Sequence, residues 1–291
     1  MERVRYLSPT SLKTYQQNPK KFYIMYLSEQ GKSISRPKQN QAMSIGSAFD
    51  AFLKSYVGNY DAVKLFEDQV EAENRDWAWE NGKKVFEFYK ECGALDHLLE
   101  DIEASIIEPV YEFDVIGKLD NNGTEVPLFG KPDMFLFTSE GRRIITDFKV
   151  NGYCSKSGVS PAKGYIRILP GGDRHKNCVI NDFDGAKINS FYKMEEVNRD
   201  WAIQLATYAW MLGEPAPSDF IAHIEQIACS HKSKTPLRVA THKLQIGEEF
   251  QNDLKKQYAD LWDVVQTWYD EELENMALQI KSDPELWDLI N

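Results

Sequence analysis

The sequence predicts an α+β fold in which helices flank a central mixed β-sheet that contains an antiparallel meander. Two observations carry this prediction. Apolar residues recur with a helical period of about 3.6 up to residue 108, and beyond it the period shifts toward two. After a long polar stretch, a helical pattern, two strand patterns and an acidic amphipathic segment complete the chain.

We therefore expect residues 1–291 to form one domain around a single sheet. Its predicted parts are a helical N-terminal part (1–108), a core (109–246) with a basic loop at 151–199, and an acidic C-terminal helix (247–291) that covers the core.

Helices are predicted through the N-terminal part. Ser8 followed by Pro9 is typical of a helix start, and this helix should end before Asn18, because a residue that precedes proline avoids helical backbone angles. Further helical patterns cover 42–57 and 60–108, the latter with breaks near Gly82 and Gly93.

The core is predicted to contain five strands and one helix. Three strands joined by turns form the meander, at 110–115, 126–137 and 142–150. After an irregular stretch at 151–199 come a helix at 201–212 and strands at 220–229 and 237–246.

The composition is that of a globular protein. The chain has 291 residues, 42% apolar and 27% charged, which excludes collagen-like and wholly disordered classes. There is no run of about 18 apolar residues, so we expect no membrane-spanning helix, and the polar N-terminus predicts no secretory signal. The four cysteines form no CxxC pair, so we expect neither a disulfide scaffold nor a four-cysteine zinc site, and we expect a cytoplasmic location.

The charge is unevenly distributed along the chain. The net charge of −11 argues against a protein that coats nucleic acid, but most of it lies in residues 247–291, which carry −9. The stretch from Lys149 to Lys176 carries +5. Such a strip could follow a phosphate backbone or form a solvated surface loop, and both interpretations remain open.

Two acids and a lysine are predicted to lie together on the meander. A hairpin centred on residue 140 places Asp133 opposite Asp147, with Cβ atoms about 5 Å apart, and Lys149 on the same face as Asp147. Two carboxylates this close repel unless a cation neutralises them, and their hard oxygens suit Mg²⁺ or Mn²⁺. The alternative is a surface Asp–Asp–Lys cluster, although the apolar flanks of both acids favour a position beside a core.

These residues stand in an ordered set of motifs that resembles the PD-(D/E)xK nuclease superfamily, in its RecB-like branch with the lambda-type phage exonucleases. The matching segments are, in order, Tyr6 to Phe22 as the N-terminal helix, Ile45 to Asp50 as the GxxxH motif, Pro132-Asp133 with Asp147-Phe148-Lys149 as the signature, and Gln204 to Tyr208 as the QxxxY helix.

The resemblance implies a metal-dependent DNA exonuclease with Asp133, Asp147 and Lys149 as catalytic residues. Mg²⁺ or Mn²⁺ would be held by the two acids and the backbone carbonyl of Phe148, while Gln204 and Tyr208 would contact DNA or support the acids. The implied partners are linear DNA with ends and a single-strand annealing or single-strand binding protein, in phage-type recombination or repair within a bacterial cell or phage-infected host. Ring-shaped homo-oligomers also occur in the family.

The sequence departs from the family pattern at three points. Asp50 stands where the family usually has His, so it is either a further metal ligand or an exposed helix residue, and Glu112 competes as the third acid. Asn18 stands where iron–sulfur members have Cys, so we expect no iron–sulfur cluster. The long insertion before Gln204 is the basic loop, whose cations are expected to bind a DNA strand: Lys156, Lys163, Arg167 and Arg174.

Two other functions remain open at this point. The chain could be a non-catalytic DNA-binding or inhibitor protein on the same fold, although all three core residues are present. It could also be an endonuclease or an RNA-directed nuclease, because such a site acts on the phosphate and not on the base.

Overall fold

The structure is a computed structural model that describes residues 4–28, 38–139, 141, 143–151, 179–181, 199–212, 220–228, 238–244 and 246–267. Its α-helices are α1 (Pro9–Gln17), α2 (Pro19–Phe22), α3 (Gln41–Gly58), α4 (Ala62–Gln69), α5 (Arg75–Glu91), α6 (Ala94–Glu103), α7 (Arg199–Met211) and α8 (Glu248–Thr267). A π-helical turn, Tyr23–Leu27, continues α2, and a 3₁₀ turn, Ala72–Asn74, precedes α5.

The predicted first helix is confirmed at both ends. Ser8 caps α1, where its hydroxyl accepts the Ser11 N–H at 3.1 Å and its own N–H donates to the Ser11 hydroxyl at 2.8 Å. Pro9 occupies the first turn, and Asn18 ends α1 and caps α2 through its side chain.

The helices α3 to α6 confirm the helical N-terminal part, with one correction. Gly93 separates α5 from α6 with φ of +85°, as predicted, but Gly82 lies inside α5 and does not break it. A Cβ atom at Gly82 would lie 2.4 Å from the Cβ of Ala48, so this glycine allows close packing of α5 on α3.

The strands are β1 (Val110–Tyr111), β2 (Val115–Asn121), β3 (Thr124–Gly130), β4 (Met134–Phe137), β5 (Arg143–Asn151), β6 (Val179–Asn181), β7 (Phe220–Ala228) and β8 (Arg238–Leu244). Six of them form one sheet in the order β1-β4-β5-β7-β8-β6. β5 pairs with β7, and β6 with β8, in parallel, and the other pairs are antiparallel. The predicted mixed sheet is therefore confirmed.

The predicted meander is wrong in three respects. The strand expected at 126–137 is two strands, β3 and β4, because it is interrupted at residues 131–133, where Pro132 has no N–H to donate to a ladder. β2 and β3 form a separate hairpin, so of the strands in this region β1, β4 and β5 are the antiparallel neighbours in the main sheet. The first strand ends at Tyr111, since Glu112 has a φ of +41°.

The stretch expected to be irregular at 151–199 contains a strand. β6 adds the outer strand of the main sheet by pairing in parallel with β8. α7 begins at Arg199, two residues earlier than predicted, and precedes β7. In chain order, α7 lies between the parallel strands β5 and β7, as the helix does in a β–α–β unit.

Helices pack on both faces of the main sheet. Met134, Leu136 and Ile144 join a core with α3, α5 and α6, whereas Ile145 and Ile224 join a second core with α1, α7 and α8. The apolar face of α8 is buried in this second core, which confirms that the helix covers a core over Glu248–Thr267. Within the described residues, no helix combines the length and the apolar character needed to cross a membrane.

Candidate active site

Asp133 directly precedes β4, and Asp147 lies in the middle of the antiparallel neighbour β5. β4 pairs with β5 from Phe137–Arg143 to Met134–Thr146, which confirms the register centred on residue 140. Asp133 lies directly beyond the Met134–Thr146 pair, and its Oδ2 accepts a hydrogen bond from the backbone N–H of Phe148 at 2.8 Å. This bond joins the carboxylate of Asp133 to the strand that carries Asp147.

A glutamine on α7 links Asp147 to Lys149. The Nε2 of Gln204 donates to Asp147 Oδ1 at 2.9 Å, and its Oε1 accepts from Lys149 Nζ at 3.1 Å. The ammonium group of Lys149 is also in ion-pair contact with the Asp147 carboxylate, which is only 1% exposed. An amide with one donating and one accepting end fits this position between an anion and a cation.

Tyr208 holds the glutamine in place from one turn further along α7. Its hydroxyl accepts the Nε2 of Gln204 at 3.0 Å and donates to the carbonyl of Lys131 at 3.2 Å. A Cβ at Gly130 would lie 2.5 Å from the ring of Tyr208, so a glycine is needed for this approach. No role was predicted for Gly130 from the sequence, although its place directly before Lys131-Pro132-Asp133 was a usable signal.

The electrostatics of the pair call for a cation. Burial, and next the neighbouring Asp147 carboxylate, raise the pKa of Asp133 to about 8, against the lowering effects of Lys149 and of the Phe148 N–H. Burial also raises the pKa of Tyr208 to about 12, so its hydroxyl remains a neutral donor. Two hard carboxylates that repel each other in a buried place, beside a backbone carbonyl, form a donor set that fits Mg²⁺ or Mn²⁺.

Asp50 and Glu112 share a lysine beside this pair. Lys54, which is 6% exposed, is in ion-pair contact with Asp50 one turn away on α3, and its Nζ lies 2.9 Å from Glu112 Oε1. The side chain of Gln69 also donates to Asp50, at 2.9 Å. Burial raises the pKa of Asp50 in spite of Lys54. Burial tends to raise the pKa of Glu112, but Lys54 and Lys131 together lower it.

The structure does not bring Asp50 into a ligand cluster with the two central acids. Within the described ranges, no group of three or more His, Cys, Asp or Glu is close enough to hold a metal ion. Lys54 supplies positive charge to both Asp50 and Glu112. No role was predicted for Lys54 from the sequence, although its i, i+4 spacing from Asp50 was a usable signal.

A cleft of about 350 Å³ opens beside the site. Gln204 and Tyr208 form one part of its wall, and the other lining residues are Ser8, Pro9, Thr10, Lys13, Phe129, Gly130, Lys131, Asp200 and Ile203. Gln204 therefore connects this cleft to Asp147 and Lys149. The four cations predicted to bind DNA in the basic loop lie outside the described residues: Lys156, Lys163, Arg167 and Arg174.

Comparison with known families agrees with this geometry. The family model of the PD-(D/E)XK nuclease superfamily matches residues 6–159, more than half of the chain, including Asp133, Asp147 and Lys149. The chain belongs to the PD-(D/E)XK nuclease superfamily. It is accordingly a hydrolase that acts on nucleic acid, in a family that generally uses divalent metals such as Mg²⁺. Gln204 and Tyr208 lie beyond the matched residues.

Two solved structures are similar to this nuclease at low identity. A candidate exonuclease from Eubacterium rectale is 10% identical, with a TM-score of 0.48, over 90% of this chain and 80% of that one. The protein SSO0001 is also 10% identical, with a TM-score of 0.27, over 80% of this chain and 82% of that one. Among curated protein sequences, none matches the chain.

Proposed function

We propose that this nuclease is a metal-dependent deoxyribonuclease that removes nucleotides from the ends of linear DNA. The observation that carries the proposal is the bridge made by Gln204, which joins the buried Asp147 to Lys149 next to Asp133. An Asp–Lys contact that only stabilised the fold would not need a helix from elsewhere in the chain to orient both partners. The ordered motifs of the RecB-like branch support an exonuclease with lambda-type relatives.

In the proposed reaction, Asp133, Asp147 and the backbone carbonyl of Phe148 would hold Mg²⁺ or Mn²⁺. When bound, such an ion polarises a phosphate oxygen and makes a coordinated water more acidic. The Lys149 ammonium, kept in place by Gln204 Oε1, donates to the attacking water or to a non-bridging phosphate oxygen, where it offsets the growing negative charge. Gln204 Nε2 keeps the Asp147 carboxylate turned toward Lys149, and Tyr208 keeps Gln204 from rotating.

We propose further that the whole chain forms one nuclease domain and that the basic loop binds a DNA strand near the site, through Lys156, Lys163, Arg167 and Arg174. Asp50 stays a proposed additional ligand, but Lys54 must first release it. A single-strand annealing or single-strand binding protein is the proposed partner, since lambda-type relatives supply strands for recombination.

The test is digestion of end-labelled linear duplex, linear single strands and covalently closed circles, with Mg²⁺, Mn²⁺ or EDTA. Asp147→Asn keeps the size of the buried side chain but removes its charge, and it should abolish cleavage. The matched control is Asp260→Asn, which removes an exposed carboxylate on α8 and should cleave as the unchanged protein does.

Each outcome decides between the functions left open by the sequence. Metal-dependent loss of linear DNA alone, absent in Asp147→Asn, supports the exonuclease. Cleavage of closed circles replaces it with an endonuclease, and cleavage of an RNA strand in place of DNA replaces the substrate. DNA binding without cleavage of any substrate overturns the enzyme and supports a binding protein.

A further inference from the structure

An aromatic pair stands on the outer face of the β2–β3 hairpin. The residues before α1 extend this hairpin, because the N–H of Leu7 donates to the Pro127 carbonyl at 2.9 Å and the Leu7 carbonyl accepts from Phe129 at 2.8 Å. Leu7 and Leu128 point inward and are fully buried. Side chains alternate along extended chains, so Tyr6 and Phe129 point outward.

The two outward rings are stacked; Phe129 is half-buried and Tyr6 is exposed. Their centroids lie 4.8 Å apart with an interplanar angle of 28°, and Tyr6 is 40% exposed. Ile116, directly across the ladder from Phe129, is 69% exposed. Within the described part of the chain these three side chains form an apolar shelf, named here the Tyr6 shelf. A stacked pair with one open face can accept a further flat ring.

The shelf is continuous with the cleft beside the candidate active site. Phe129 lines the same cleft as Gln204 and Tyr208. Phe129 also precedes Lys131 by two residues, and the carbonyl of Lys131 receives the Tyr208 hydroxyl. The cleft volume of about 350 Å³ is that of a small-ligand pocket, which suits one nucleotide unit and not a duplex.

The charge around the shelf suits a strand that carries phosphates. Lys13 and Lys131 line the cleft, paired with Asp200 and Glu112 on the surface. All four side chains are about half exposed. Exposed ion pairs of this kind contribute little to stability, so either lysine ammonium group can leave its carboxylate and contact a phosphate.

We propose that the Tyr6 shelf stacks an unpaired base of a single-stranded DNA end, and so selects strands whose terminal bases are free. This inference rests on the proposed function for its substrate, but it concerns binding and not cleavage. Base–aromatic stacking needs only a flat ring and one open face, so the site accepts all four bases.

The test measures binding of single-stranded DNA in the Asp147→Asn background, in EDTA, by fluorescence anisotropy. Three probes are compared: a mixed-sequence single strand, a strand of equal length whose terminal nucleotides are abasic, and a blunt duplex. Tyr6→Leu keeps apolar volume but removes the ring, and Tyr6→Phe keeps the ring. Tyr56→Leu is the matched control, because Tyr56 is a 52% exposed tyrosine on α3.

Tyr6→Leu should raise the Kd for the mixed single strand by about 5- to 150-fold, the range for loss of one stacked base. Tyr6→Phe and Tyr56→Leu should leave it unchanged, and the abasic strand should bind equally to all variants. Equal weakening on the abasic strand, or on the blunt duplex, would overturn the proposal, as would unchanged binding. Because this assay measures no cleavage, its result does not depend on nuclease activity. If Tyr6 stacks a base but the unchanged protein cleaves no substrate, the proposed function alone is overturned.

Discussion

Replacing Gln204 tests whether the bridge between Asp147 and Lys149 supports catalysis. Gln204→Leu removes two hydrogen bonds to charged groups, at 2.9 and 3.1 Å. Each such bond contributes about 1.5–3 kcal/mol. Because the two act on one charged pair and do not add, we take about 3 kcal/mol as the loss, which corresponds to roughly 100- to 200-fold in rate.

Tyr208→Phe provides a graded comparison on the same helix. It removes one neutral bond to Gln204 and one to the Lys131 carbonyl, and leaves the charged contacts in place. A loss of about 1 kcal/mol, or roughly fivefold, is expected. Both variants should be measured by single-turnover cleavage of end-labelled DNA at saturating Mg²⁺, with thermal unfolding as the check on folding.

A double variant separates positioning from general damage. If Gln204 acts through Lys149, then adding Gln204→Leu to Lys149→Met should reduce the residual rate far less than Gln204→Leu does alone. Independent, multiplying effects would contradict the reasoning. So would an unchanged rate in Gln204→Leu, or a Tyr208→Phe variant as slow as Gln204→Leu.

Three further expectations concern stability. Gly82→Ala should lower the free energy of unfolding in denaturant by about 2 kcal/mol, because overpacking of the new Cβ at 2.4 Å from the Ala48 Cβ outweighs a gain of about 1 kcal/mol in helix propensity. Adding Ala48→Gly should recover most of the loss. A stabilised single variant would contradict this expectation. Because the pKa of Asp133 is raised to about 8, the metal-free folded protein keeps the proton on this carboxyl group. The stability that this proton contributes is fully present below a pH of about 4 and is lost as the pH rises through about 8. Mg²⁺ should therefore raise the Tm more at pH 9 than at pH 6, and Asp133→Asn should remove that difference. Lys54→Met should cost about 3 kcal/mol in urea unfolding, because it leaves Asp50 without its cation, and Asp50→Asn added to it should restore part of that.

The sequence determined most of the local structure. The cap at Ser8, the helix boundary at Asn18 and the turn at Gly93 follow from backbone chemistry that acts within a few residues, and all three are present. The hairpin register that sets Asp133 beside Asp147 follows equally from a turn and an apolar alternation. Such interactions do not need the rest of the fold.

Other features depended on contacts between segments that are distant in sequence. Gly82 resembles a helix break until Ala48 is seen against it. Only the assembled sheets show that Pro132 divides one apolar run between two of them.

The same division applies to the candidate site. The spacing of Asp147 and Lys149 along one strand is a local fact, but their bridge through Gln204 joins residues 55 and 57 positions apart. The assignment of Lys54 to Asp50 and Glu112 likewise required α3 and the end of β1 to meet. Sequence periodicity specifies which face of an element is buried, whereas the pairing of charges is decided by packing, because a charge interacts with whatever partner the fold brings within a few ångströms.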